Sequence, residues 1–319
     1  MYSRLSDGWG RGDPLAAVLL DLRLAGTFFC RSEFAAPWSL QVAARDFASF
    51  HFCVTRDCWL RVGASAAFEH LEAGDLALVP GGAAQVLASS PRRTGTPLAA
   101  LAAKPLTDTV STLHVPGRHD PWIVICGGVR LEGFAASMLA GLLPPALVLR
   151  GGDPGAIVPS VLAAMQLESQ TSRPGSATVM TRLADVIVIH AIRAWLERAA
   201  GTTGWLAALR DPQIGRTMAE VHRRAERAWS VAQLARVAGL SRSRFSERFS
   251  ELAGLAPAQY VAKVQMHRAG EALRTERVTI AELAARFGYE SEPAFARAFK
   301  RHVGEPPGRV RARARHATR

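Results

Sequence analysis

The pattern that most restricts the fold of this 319-residue chain occurs twice in its last third. The first copy starts Ser230-Val-Ala-Gln-Leu-Ala-Arg-Val-Ala-Gly239 and the second Thr279-Ile-Ala-Glu-Leu-Ala-Ala-Arg-Phe-Gly288. Ser230 with Gln233, and Thr279 with Glu282, have the spacing of a capping box, in which side chain and backbone at a helix start satisfy each other's polar groups. Gly239 and Gly288 stand where a short helix ends in a left-handed residue, a conformation cheap only for glycine. Phe245 and Phe249, then Phe295 and Phe299, lie one turn apart and mark the buried stripe of a second helix in each copy. Gly254, Pro257 and Tyr260 recur as Gly304, Pro307 and Val310. The offset is 49 residues before the turn and 50 after it, so the second copy carries one extra residue within Tyr289 to Pro293. Two helix–turn–helix units, at about 230–257 and 279–307, are expected. Such a pair either reads DNA or serves only as a packed duplicate hairpin.

The DNA major groove admits one α-helix, and the second helix of each unit is the one to enter it. In the first unit, Arg242, Ser243, Ser246, Glu247 and Ser250 form the outer face, flanked by Arg244 and Arg248 as candidate phosphate contacts. In the second, Ser291 is an expected N-cap, Pro293 fits the first turn, and Glu292, Ala294, Arg297 and Arg301 face outward beside Lys300. Arg297 is the candidate for a guanine contact, because its planar fork reaches two acceptors at once. Residues 257–275 read as a linking helix of about 25 Å, suited to two reading helices in successive major-groove turns.

Charge agrees with this division. The chain has 39 Lys and Arg against 27 Asp and Glu, a formal +12. From Gly204 onward the balance is 22 against 11, whereas the first 203 residues hold 17 against 16. A polyanion is therefore expected as partner of the rear half, nucleic acid before membrane. Only three lysines accompany 36 arginines, so base composition of the gene also contributes. No apolar run reaches the roughly 18 residues of a membrane helix. The first residues have no secretory pattern, and a cytoplasmic protein is expected.

From about Gln213 to Arg311 the chain resembles the DNA-binding domain of the AraC/XylS family of bacterial transcription regulators. The residues carrying the resemblance are Leu234-Ala235, Gly239-Leu-Ser241, Phe245, Phe249, Gly254, Pro257 and Tyr260. In the second copy they are Ile280-Ala-Glu-Leu-Ala284, Phe287-Gly-Tyr289, Phe295, Phe299-Lys300, Gly304, Pro307 and Arg311. Val310 departs from the family's aromatic, and Glu292-Pro293 gives an acidic, stiff entry to the second reading helix. The resemblance implies double-stranded DNA and RNA polymerase as partners, and activation rather than repression.

Residues 22–131 read as short strands punctuated by Gly and Pro, at Gly26–Cys30, Trp38–Val42, Ser49–Val54, Trp59–Val62, Leu76–Val79, Gln85–Ala88 and Trp122–Cys126. The segment from Gly74 through Pro80 and Gly82 to Gln85 has the spacing of the second cupin motif, with Gln85 where cupins place histidine. His51, Cys53 and Cys58 have the ligand spacing of the first motif, without its flanking glycines. Together with Phe50-His51, Cys58-Trp-Leu60, Leu78-Val-Pro80 and Ile125-Cys126-Gly127, this resembles the cupin-like sensor domain of one AraC-type subgroup. An all-β jelly-roll barrel that senses a small molecule is implied. His51, Cys58 and Cys126, with Cys53 and Gln85 in reserve, offer a soft donor set for zinc; the alternative is that the cysteines are small apolar core residues. The Cys and Gln at the ligand positions do not suit a cupin oxygenase, and no enzyme is expected.

Residues 154–200 read as helical around a break at 172–176. The helix over 177–198 carries more apolar residues than one stripe needs, so its outer face either packs on the barrel or pairs with a second copy of the chain. His190 on it reads as a packed residue rather than a ligand. The expected division is a sensor barrel over 1–150, a helical bridge over 151–203 and a DNA-binding domain over 204–319. The expected function is ligand-controlled, sequence-specific DNA binding; the alternative is a ligand-independent DNA binder with the barrel as dimer scaffold.

Overall fold

The computed structural model describes residues 14–19, 22–65, 67–91, 95–107, 109–116, 121–139, 142–152, 157–170, 173–198 and 204–317. Residues 199–203, which lead up to the expected boundary at 203, lie outside them, as do residues 1–13. Contacts divide the chain into two compact units, one of residues 23–132 and 139–200, the other of residues 1–22, 133–138 and 201–319.

The first unit is built on twelve strands: β1 (Arg23–Phe34), β2 (Ser39–Val42), β3 (Ala48–Cys53), β4 (Cys58–Val62), β5 (Glu69–Leu71), β6 (Leu76–Val79), β7 (Gln85–Ala88), β8 (Thr96–Pro97), β9 (Lys104–Pro105), β10 (Val110–Val115), β11 (Trp122–Glu132) and β12 (Leu147–Leu149). They form a seven-stranded sheet in the order β12-β6-β3-β11-β1-β10-β9 and a five-stranded sheet in the order β5-β4-β7-β2-β8. All seven expected strands are present. β12 lies in an apolar run that carries no alternation, so periodicity gave no sign of it. One core joins both sheets, drawing Phe34, Cys53, Ala77 and Val124 from the first and Leu40, Cys58, Leu60 and Leu87 from the second. Gly127 on β11 leaves room for a neighbouring ring, because a Cβ there would stand 2.3 Å from Cζ of Phe50 on β3. Two helices complete the unit, α3 (Val158–Ser169) and α4 (Ser176–Arg198), in line with the helices expected over the bridge. Among the described residues no helix is long and apolar enough to cross a membrane.

The second unit is helical. Two short front segments belong to it: α1 (Pro14–Leu19) and most of α2 (Phe134–Leu139). It continues through α5 (Trp205–Arg210), α6 (Pro212–Arg223), α7 (Val231–Ala238), α8 (Arg242–Ala253), α9 (Pro257–Thr275), α10 (Ile280–Arg286), α11 (Glu292–Val303) and α12 (Pro307–Ala317). This division departs from boundaries at 150 and 203. Residues 151–200 stay with the sheets, and residues 133–138 pack among the helices for a clear reason. Phe134 is buried edge-on against the rings of Trp205, His222, Tyr260 and His267, at 5.0–6.3 Å between centroids. Such contacts add to the apolar gain of burying the ring.

Candidate nucleic-acid interface

Both capping boxes form. The N–H of Gln233 donates to Ser230 Oγ at 3.2 Å while the Ser230 N–H donates to Gln233 Oε1 at 3.0 Å. The Thr279–Glu282 pair repeats this, at 3.1 and 2.7 Å. The Thr279 groups that donate to the Glu282 carboxylate hold its pKa below the usual range. After α7, Gly239 turns the chain with φ 71°, and Ser241 caps α8 through the Arg244 N–H. After α10, Gly288 takes φ 76°, and Ser291 caps α11 through the Ala294 N–H. Each second helix thus starts at a fixed angle to the first, which is what aims its outer face.

Phe245, Phe249, Phe295 and Phe299 are fully buried. Opposite them on α8, Arg242, Ser243, Arg244 and Glu247 are exposed and Ser246 is half-buried. On α11, Glu292, Arg297, Lys300 and Arg301 are exposed, Ser291 is exposed at the cap, and Ala294 is half-buried. Arg248, a candidate phosphate contact, has a partner that the sequence did not show: its Nη2 is paired with Asp211, the N-cap of α6. Burial pushes the Asp211 pKa up, but Arg248 and the N–H groups of Gln213 and Ile214 outweigh it and hold it below the usual range. Sequence periodicity could not find this pair, which joins residues 37 apart. Another long-range clamp was equally silent: Arg286 at the end of α10 donates to both Glu226 and Glu276.

In the sheet unit, His51 is 2% exposed and sits in a polar chain. Its Nε2 lies 2.9 Å from Gln85 Oε1, and Gln85 Nε2 donates to Ser49 Oγ. The amide orientation makes Nε2–H the donor and leaves Nδ1 to accept from the Cys126 thiol at 3.1 Å. Burial lowers the His51 pKa against an opposing contribution from the Gln85 bond. Burial also pushes the Cys126 thiol well up, and the contact with Cys53 raises Cys58.

With this geometry in view, comparison with known proteins is decisive. Residues 13–197, more than half the chain, match the cupin family, and residues 234–313 match a helix-turn-helix domain. A putative AraC-like transcription regulator of Streptomyces lividans is 36% identical over 198 residues. The chain belongs to the AraC family, with a cupin front half. The alignment with the Streptomyces protein covers 61% of this chain and 65% of the relative, just short of two thirds of its length. An HTH-type transcriptional regulator of Haemophilus influenzae is 25% identical over 292 residues, spanning 91% of this chain and 95% of the relative. Among solved structures, the DNA-binding domain of AdpA in complex with a target DNA is 31% identical, covering 34% of this chain and 96% of that one, with a TM-score of 0.31.

For an AraC-family cupin the question of a metal follows, and the residues present do not fit one. Both ring nitrogens of His51 are engaged, one by a thiol and one by an amide oxygen. Among the described residues no three His, Cys, Asp or Glu side chains converge as a metal-holding group. The zinc set of His51, Cys58 and Cys126, with Cys53 and Gln85 in reserve, is therefore corrected to a hydrogen-bonded core network. The cause is Gln85: an amide supplies both a donor and an acceptor, and so ties the imidazole into the fold.

Proposed function

We propose that this AraC-family chain binds double-stranded DNA sequence-specifically through α8 and α11 and so regulates transcription, acting in the cytoplasm. The observation that carries the reading is the duplicated unit itself: two capped helices, each with an aromatic stripe buried and a polar, arginine-bearing face exposed. Base readout is assigned to Arg242, Ser243, Ser246 and Glu247 on α8, and to Glu292, Ala294, Arg297 and Arg301 on α11. Arg244, Lys300 and the exposed cap Ser291 are assigned to phosphates. RNA polymerase as partner, and activation as the outcome, rest on the family. The cupin half is the sensing unit, and its ligand acts by favouring a state of different DNA affinity. Fluorescence anisotropy on a selected duplex and on random DNA tests the core of this reading. Tight binding to the selected duplex only is expected; equal affinity for both would contradict it.

A second reading has one observation in its favour. Val179, Leu183 and Val186 follow one another at helical spacing on α4, and Val179 is 44% exposed. That stripe suits a second copy of the chain, with the sheet unit as a ligand-independent dimer scaffold. Sedimentation of the full chain separates the cases: a monomer at micromolar concentration would remove the scaffold reading.

A further inference from the structure

We propose that the groove between β12 and α4 binds an amphipathic monocarboxylate. The inference names a ligand class for the sensing role proposed above and rests on that reading. The groove encloses about 350 Å³, in the range of small-molecule sites. Leu147 of β12 lines it. So do Ala191, Ala194 and Trp195 of α4, two small side chains beside a large aromatic that leave room for an apolar body. Arg150, Arg198 and Glu69 supply its charged lining.

Arg150 supplies the recognition. Its Nη1 donates to His70 O at 2.8 Å and to Asp75 Oδ2 at 2.6 Å, and its Nη2 donates to Glu69 Oε1 at 2.7 Å. Asp75 is itself buried and also accepts from the Gly151 and Glu72 N–H groups, so the guanidinium is held in place from behind. Three of its five N–H donors are thereby used. The Nε–H and one Nη2–H are left on a side chain that is 39% exposed. A fixed guanidinium with two donors to spare matches a planar carboxylate. The acids nearby set an upper limit on ligand charge, since a phosphate dianion would meet more repulsion from Glu69 and Asp75. Glu69 is half-exposed, and its pairing with Arg150 is of the weak surface kind, so a ligand carboxylate competes with it.

The test is calorimetric titration of the full chain with 4-phenylbutyrate and with decanoate, each beside its primary amide. At least one acid should bind, with its amide about tenfold weaker or more. Ala194→Phe, which fills the groove, should abolish acid binding while DNA affinity of the ligand-free chain stays unchanged. Glu69→Gln removes the competing carboxylate and should strengthen acid binding several-fold. No binding by either acid, equal binding of acid and amide, or full binding by Ala194→Phe would each overturn the site. Loss of DNA recognition by the unmodified chain would contradict the proposed function instead, and the two failures are read on separate instruments.

Discussion

Arg297 is exposed near the middle of α11, opposite the buried Phe295 and Phe299. Its replacement by alanine is expected to cost about 1–3 kcal/mol on the selected duplex and to relax one base position. An equal loss on random DNA would make it a phosphate contact. His51 gives a prediction of a different kind. Its folded pKa lies below the ordinary 6.5, so below that pH the unfolded chain takes up a proton that the folded chain refuses. Stability should therefore fall as pH drops below about 6.5, until His51 itself protonates. Thermal melts from pH 7.5 to 5 check this: His51→Gln should flatten that part of the slope, and an unchanged slope would count against a buried neutral imidazole. At this scale the sequence was informative about residue type and poor about pairing. It grouped His51, Cys58 and Cys126, with Cys53 and Gln85 in reserve, but strand spacing carries no information on whether an imidazole meets a metal or an amide. The outer faces of α8 and α11 were legible because a 3.6-residue period fixes inside and outside. The pairing of Arg248 was not legible because Asp211, the N-cap of α6, lies 37 residues away.

At the scale of elements, the caps do most of the positioning. Asp211 has two tasks: it accepts from the Gln213 and Ile214 N–H groups at the start of α6, and it anchors Arg248 of α8. Asp211→Ala should destabilise the helical unit by about 1–2 kcal/mol, measured by urea unfolding. Asp211→Asn keeps an N-cap and loses the charge, and should cost less; equal costs would mean that the ion pair, not the cap, holds α6 and α8 together. Capping boxes and glycine stops were legible because they are local, three residues apart or fewer. The short strands β5, β8, β9 and β12 were not, since two or three residues are too few for a period to appear. The entry of α2 into the helical unit was also invisible. Nothing in Gly133-Phe134-Ala-Ala distinguishes a helix that packs under its own strands from one that fills an aromatic socket elsewhere.

For the whole molecule, the +12 separates into a near-neutral sheet half and a basic helical half, and only the latter carries the exposed arginines and lysine of the reading helices. Affinity for any duplex should fall linearly in log–log terms with salt, and Lys300→Ala should reduce that slope by about one if Lys300 lies on a phosphate. Titrations between 50 and 200 mM salt (roughly the range where such slopes are read) check it; an unchanged slope would take Lys300 off the backbone. The central claim is that two helices of one chain read two neighbouring stretches of DNA. Selection of the full chain against a random duplex pool, followed by footprinting of the winners, measures this directly. Two conserved boxes are predicted, centred about one helical turn (roughly 10.5 base pairs) apart on one face of the duplex. A single box, or no enriched sequence at all, would contradict it.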